Sequence, residues 1–295
     1  MKKVLVIIII VLLSGVFVFS GIKIAQILVN YHNIDELYDT AANDFVKKVN
    51  VSAQGDDTIK VIDTPQKPQG SSDSVSVNPS SGDNRGTETA VEARIPEYAP
   101  IEIDFDALKR INKEVIGWIY CEDSRINYPV VQSLKSNLYY TGHAYDRSET
   151  SAGAIFVDYR NNPGFADYNI IIYGHHVNNG AMFATLDKWR DQKFFDAHPV
   201  MYILTPEIDY KVVLFSTYTI PASSKLYALI TEPGEELTEY INTVKGNSVI
   251  KADVELDPEA KYVMFSTCSK EYSRARYVMH GMLVPLDSAA GVPLR

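Results

Sequence analysis

Residues 263–279 read "VMFSTCSKEYSRARYVM", two apolar runs joined by a polar turn. Side chains alternate along a strand, so Met264, Ser266 and Cys268 share one face of the first run. The connection to the second run is short enough for a hairpin, which places Cys268 and Arg276 side by side at the same end of two neighbouring strands. The stretch therefore predicts a sheet that carries a thiol and a guanidinium together at one end.

Further short apolar runs bounded by turn residues precede this hairpin. Their β-branched and aromatic residues favour strands, and no βαβ alternation recurs, so we expect a closed or sandwich-like β fold. These predicted strands are "INYPVVQ", "AGAIFVDYR", "YNIIIYG", "VMYILT" and "YKVVLFSTYTI". Predicted helices are "DFDALKRINKEVIGWI", with Phe105, Leu108, Ile111 and Val115 on one face, and segments around "MFATLDKW" and "GEELTEYINTVK".

The N-terminus has the pattern of a membrane anchor. Two lysines precede an uncharged stretch from Val4 to Ile22. At about 1.5 Å per residue this stretch spans roughly 29 Å, close to the ~30 Å hydrocarbon core of a bilayer. Lys2 and Lys3 favour a cytoplasmic N-terminus with the remainder of the chain outside. The alternative is a signal peptide cleaved before Gly21, but the apolar run is longer than such peptides usually have.

The composition divides the chain into five segments. Residues 1–24 form the cytoplasmic start and anchor, and 25–49 have helical spacing next to the membrane. Residues 50–98 are rich in Ser, Gly, Asp and Pro and nearly lack aromatic residues, which predicts a flexible linker. Residues 99–288 form the folded domain, and 289–295 a short tail. The net charge of −9 and pI near 5.2 argue against nucleic acid as the main partner.

Cysteine chemistry needs a histidine, and the chain has six. His175 and His176 end the strand pattern "IIIYGHH" and enter a polar loop, so either is a candidate catalytic base or a structural histidine. Arg276 beside Cys268 would hold an oxyanion or favour the thiolate. The other cysteine, Cys121, leaves two further interpretations of Cys268, a disulfide or an inert core thiol.

Three segments together resemble class B sortases, the cysteine transpeptidases of Gram-positive cell surfaces. They are "IDFDALKRINKEVIGWIYCEDSRINYPVVQ", "YNIIIYGHHVNNGAMFATL" and "VMFSTCSKEYSRARYVM". The resemblance covers about residues 100–286. It implies an eight-stranded sortase-type β-barrel with accessory helices, preceded by an N-terminal transmembrane helix. One helix, expected near residues 233–245, lies between the sixth and seventh barrel strands.

The resemblance also assigns roles. The histidine after the glycine is catalytic, which selects His175, and the cysteine after threonine selects Cys268 as nucleophile. The arginine that opens the last strand selects Arg276 over Arg274. Position in the family fold makes Ser266, Thr267 and Tyr227 candidates for substrate binding.

The implied reaction cleaves a C-terminal sorting motif of secreted proteins after Thr, through a thioester. The acyl group then passes to an amine of peptidoglycan or of its lipid-linked precursor, at the outer face of the membrane. No metal or cofactor is needed.

Two other functions fit the chain less well. An L,D-transpeptidase would have glycine before its cysteine and arginine after it, where this chain has Thr267 and Ser269. A non-catalytic, membrane-tethered surface protein would not need the three candidate catalytic groups.

Overall fold

The structure is a computed structural model that describes residues 2–50, 60–61, 99–269 and 271–286. Most of the linker predicted at 50–98 lies outside these residues, as does the tail predicted at 289–295.

One long helix forms the N-terminal part of the chain. Helix α1 spans Lys2–Phe45 and runs through the predicted anchor without interruption. Within the described residues it is the one helix long and apolar enough to cross a membrane, and an apolar window of 18 residues inside Leu12–Phe45 has a mean hydropathy of 2.0. The side chains in its apolar window are exposed, so this part of α1 has no protein core to pack against.

The C-terminal part of α1 packs on the folded domain. Its buried side chains recur at helical spacing: Ile34, Tyr38, Ala41 and Phe45. The helix then ends, and Val46–Asn50 forms strand β1, whereas the sequence predicted helix to residue 49. Strand β1 pairs antiparallel with β2 (Lys60–Val61) and with β3 (Ile101–Ile103), and this sheet pairing outweighs the helical pattern.

Eight strands form a closed barrel, which confirms the predicted fold. In chain order they are β4 (Val115–Tyr120), β5 (Asn127–Val131), β6 (Ile155–Val157), β7 (Asn169–Tyr173), β8 (Val200–Leu204), β9 (Tyr210–Pro221), β10 (Lys261–Cys268) and β11 (Ala275–Pro285). Around the barrel the order is β10-β11-β9-β8-β4-β5-β6-β7, so closure is made by β7 and β10. These two strands run parallel, and the β10–β11 pair is antiparallel.

The predicted helix "DFDALKRINKEVIGWI" is in part wrong. Helix α2 spans only Phe105–Ile111, and the following residues turn into β4. Asn112 ends the helix in an extended conformation, with its side-chain amide donating to the Tyr145 carbonyl at 2.7 Å. Gly117 then allows close contact with β8, because a Cβ there would lie 3.0 Å from the Leu204 carbonyl oxygen. Tertiary packing on both sides therefore overrides the helical periodicity.

Alternation along β10 divides the core into two layers. Val263 and Phe265 belong to the cluster inside the barrel, and Tyr262 and Met264 to a second cluster on its outer face. Helix α4 (Glu235–Gly246) covers that outer face with four buried side chains, Leu237, Tyr240, Ile241 and Val244. It lies between the sixth and seventh barrel strands, as predicted. By the same alternation Cys268 points to the outer face, and it is exposed at the end of β10. A short α3 (Gln192–Ala197) precedes β8.

Candidate active site

Strand pairing brings the candidate catalytic residues together. Cys268 is the direct cross-strand partner of Arg276 in the antiparallel pair of β10 and β11. On the other side of β10, Tyr173 of β7 lies beside Ser266 in parallel register. The Gly174 amide donates to the Ser266 carbonyl at 3.2 Å, which extends this pairing by one residue. The histidine that follows therefore reaches the end of β10 where the thiol lies.

These residues line one groove with a volume of about 220 Å³. Its lining residues are Asn137, Thr141, Phe156, Tyr173, Gly174, His175, Ser266, Thr267, Cys268 and Arg276. The groove thus contains all three predicted catalytic residues. Asn137, Thr141, Phe156 and Tyr173 were not predicted, because they come from separate loops and strands and share no local motif with the others.

The two cysteines occupy opposite environments. Both are free thiols, so the disulfide interpretation is wrong in this structure. Cys121 is buried, and burial raises its pKa to about 11, which keeps it a neutral thiol. Its sulfur lies 3.6 Å from the Val200 carbonyl oxygen, away from the groove. Cys268 is exposed in the groove and is accessible to a substrate.

His175 is held by the backbone of a neighbouring loop. Its Nε2 lies 2.9 Å from the Thr141 carbonyl oxygen. Since a carbonyl oxygen only accepts, Nε2 carries the hydrogen, and Nδ1 is left to exchange a proton. The ring packs on Gly153, where a Cβ would lie 2.9 Å from Cδ2 of the imidazole. The φ of Gly153, +59°, also favours glycine at this position. Tyr38 of α1 donates to the Gly153 carbonyl at 2.6 Å and fixes this support.

The adjacent His176 lies in a different environment. Its Nε2 lies 2.6 Å from a carboxylate oxygen of Asp187, and its side chain is only 13% exposed. It does not line the groove. Of the two histidines, His175 is thus the one that lines the groove, and it remains the candidate.

Arg276 and Arg274 also differ in position. Arg276 lines the groove, and its Nη1 donates to the Ala275 carbonyl at 3.0 Å. Arg274 is exposed in the turn before β11, with a left-handed φ of +62°. Arg274 is thus outside the site.

An aromatic pair lies beside the groove, and each of its hydroxyl groups makes a hydrogen bond. Tyr227 and Tyr173 stack with ring centroids 6.0 Å apart. The Tyr227 hydroxyl lies 2.8 Å from Oγ of Ser266, and the Tyr173 hydroxyl donates to Asp158 at 2.9 Å. Of the predicted substrate-binding residues, Ser266 and Thr267 line the groove directly, while Tyr227 supports it from behind Ser266.

Comparison with known proteins agrees with this geometry. The sortase domain family matches residues 119–284. Sortase B of Listeria monocytogenes is 38% identical over 181 residues, which are 60% of this chain and 72% of that protein. The Staphylococcus aureus sortase B–substrate complex superimposes with a TM-score of 0.58 at 29% identity, covering 62% of this chain and 85% of the other. Sortase B of Bacillus anthracis in complex with AAEK1 gives a TM-score of 0.56 at 35% identity, covering 61% and 84%.

Proposed function

The chain belongs to the sortase family, as a class B sortase transpeptidase, and on this premise we propose that it anchors secreted proteins to the cell wall from the outer face of the membrane. It cleaves a C-terminal sorting motif after Thr and transfers the new carboxyl end to an amine of peptidoglycan or of its lipid-linked precursor. Membership in this family displaces both the L,D-transpeptidase and the non-catalytic surface protein as alternatives.

In the first step Cys268 is the nucleophile. Its sulfur forms a bond to the Thr carbonyl carbon of the sorting motif, and the peptide C–N bond breaks. His175 takes the proton of the Cys268 thiol on Nδ1 and gives it to the departing amine, which leaves with the C-terminal part of the substrate. The Thr141 carbonyl keeps the other nitrogen protonated, so the imidazole is oriented for this transfer.

In the second step the thioester on Cys268 meets the acceptor amine. The amine nitrogen bonds to the same carbonyl carbon, the C–S bond breaks, and His175 takes the amine proton on Nδ1 and passes it to the departing sulfur. The cycle returns the thiol and the imidazole to their starting states without a net change in charge.

Arg276 stabilises the oxyanion that forms in both steps. The observation that carries the proposal is the register of three adjacent strands, which sets Arg276 directly opposite Cys268 and brings His175 to the same groove. The guanidinium is permanently charged and presents a planar set of donors, which suits a tetrahedral oxyanion.

The substrate lies along the wall that includes Ser266, Thr267 and Tyr227. Thr267 is buried at 2% exposure, and its hydroxyl oxygen has no hydrogen-bond partner among the described residues. Helix α1 serves as a single-pass anchor with its N-terminus in the cytoplasm, which keeps the domain next to both substrates.

The test is cleavage of a panel of sorting peptides by the detergent-solubilised full chain, read by mass spectrometry. The panel includes Asn-Pro-Gln-Thr-Asn-like and Pro-X-Thr-Gly-like sequences, with a short amine acceptor present. We expect cleavage after Thr and a product joined to the amine for at least one peptide, and neither product from Cys268→Ala. If no peptide in the panel is cleaved after Thr, the proposed function is wrong.

A further inference from the structure

Arg190 is linked to the segments that carry His175 and Cys268, although it does not line the groove. It ends the 3₁₀ helix Phe183–Arg190, which follows the histidine loop. Its Nε donates to one carboxylate oxygen of Asp187 at 3.0 Å, and the other oxygen of that carboxylate lies 2.6 Å from His176. One carboxylate therefore connects Arg190 to the residue that follows His175.

The same guanidinium holds the cysteine segment. Nη2 donates to the Ser269 hydroxyl at 3.3 Å, and Ser269 directly follows Cys268. Nη1 makes an ion pair with Glu271 in the hairpin turn, and the Thr219 hydroxyl donates to that carboxylate at 2.7 Å.

Arg190 also contacts the strand of Arg276. Its guanidinium carbon lies 4.0 Å from the centroid of the Tyr277 ring, a cation–π contact with the residue that follows Arg276. The next residue after each member of the candidate triad is therefore in contact with Arg190, through Asp187 in one case and directly in the two others.

These contacts suit a positioning role better than a role in global stability. The side chains of Arg190, Asp187 and Glu271 are 32%, 42% and 46% exposed, so solvent screens their ion pairs and the pairs add little to folding. Several donors of one planar guanidinium are used at once, a geometry that the single ammonium group of lysine does not reproduce.

We propose that Arg190 is a positioning residue that keeps His175, Cys268 and Arg276 in mutual register by holding the three residues that follow them. This inference rests on the proposed function for its effect on turnover. Small displacements of reacting groups are costly, since about 1 Å of misplacement lowers a rate by up to ~10²-fold. Peptide binding depends on the groove wall, which Arg190 does not contact.

The experiment compares Arg190→Gln and Arg190→Lys with Arg274→Gln in the detergent-solubilised full chain. Arg274 supplies a matched control, because it is an exposed arginine in the β10–β11 hairpin that Arg190 contacts, and it lies outside the site. We expect Arg190→Gln to lower kcat for a cleaved sorting peptide by about 10- to 100-fold. KM should change less than about threefold, Arg190→Lys should restore little activity, and Arg274→Gln should match the wild type.

A second measurement does not depend on the peptide reaction. The rate of Cys268 alkylation by iodoacetamide at neutral pH reports the surroundings of the thiol, and it should fall in both Arg190 variants but not in Arg274→Gln. Equal alkylation rates and equal kcat in Arg190→Gln and Arg274→Gln would overturn the proposal. A lowered Tm would also overturn the proposal if kcat, calculated per molecule with an alkylatable Cys268, were unchanged. That result would indicate a purely structural role. If the wild type cleaves no peptide, the proposed function fails, while the alkylation rates still decide the role of Arg190.

Discussion

Cys268 and Arg276 are direct cross-strand neighbours, at the last position of β10 and the second position of β11. The turn between them closes because Arg274 adopts a left-handed φ of +62°, after which the Ala275 amide donates to the Tyr272 carbonyl at 3.1 Å. This register gives the thiol a fixed positive neighbour. It also leaves room for a single arginine in the groove, although two arginines flank Ala275.

The planar fork of Arg276 is expected to matter more than its charge. Arg276→Lys keeps the charge but loses the fork, and loss of one oxyanion donor typically lowers turnover by about 10²- to 10³-fold. We therefore predict a loss of that size in kcat on a cleaved peptide with little change in Tm. Arg274→Lys is the matched control and should be nearly silent. Equal, small losses in both variants would remove Arg276 from the reaction.

Gly174 is required by close packing rather than by its φ. A Cβ at this position would lie 2.5 Å from the side chain of Ile155 and 2.6 Å from the ring of Phe183. Gly174→Ala should therefore push His175 out of place and cost about 1–3 kcal/mol in the free energy of unfolding through overpacking. Turnover and thermal denaturation of the variant measure both effects. Gly246→Ala, where no atom lies within 4 Å of the new Cβ, should change neither, and full turnover in Gly174→Ala would show that the packing relaxes without moving His175.

A buried histidine and a half-buried aspartate should have opposite effects on stability in mild acid. Burial lowers the pKa of His280 to about 3, so between about pH 6.5 and 3 the unfolded state binds more protons, and stability falls as the pH falls. Burial, with a smaller contribution from Glu102, raises the pKa of Asp209 to about 6. Between about pH 4 and 6 the native state therefore binds more protons at this carboxyl, and stability falls as the pH rises.

Single variants separate the two groups. Each contributes a slope of about 1.4 kcal/mol per pH unit, so they nearly cancel between about pH 4 and 6 in the wild type. Asp209→Asn should lose stability on acidification, and His280→Gln should gain it over the same range. Thermal denaturation of the full chain in detergent at several pH values measures the slopes. Parallel curves for both variants and the wild type would contradict these protonation states.

The N-terminal helix should remain on the mature protein as an anchor. Its apolar window is exposed, and the helix continues directly into residues that pack on the domain. We predict that the full-length chain fractionates with membranes, with the domain open to protease from outside. N-terminal sequencing of the mature protein provides the check. A soluble form that begins near Gly21 would identify the segment as a cleaved signal peptide instead.

The sequence predicted the elements whose pattern is set by local alternation. β10 and β11 alternate between two cores, and their short turn leaves one register, so the neighbours Cys268 and Arg276 could be placed in advance. Strand β4 could not be predicted in this way, because residues 104–119 have helical spacing. Only contacts with β5 and β8 make Val115–Tyr120 extended.

Long-range contacts account for what the residue pattern alone left open in the site. The choice between His175 and His176 depends on Thr141 and Asp187, which hold the two imidazoles in different places. Neither Thr141 nor Asp187 belongs to the histidine motif, so the sequence pattern does not identify them as the partners of the two imidazoles. The same holds for the groove residues Asn137 and Phe156, which reach the site through loop and barrel geometry.

The central claim is that Cys268 carries the acyl group. Its most direct test is to quench the full chain during turnover of a cleaved sorting peptide and to map the protein adduct by tandem mass spectrometry. We predict an adduct on Cys268 with the mass of the peptide fragment ending in Thr, which disappears on addition of an amine acceptor or hydroxylamine. Cys121→Ala should retain the adduct, and Cys268→Ala should lack both adduct and cleavage. An adduct on Cys121, or continued cleavage by Cys268→Ala, would contradict the account.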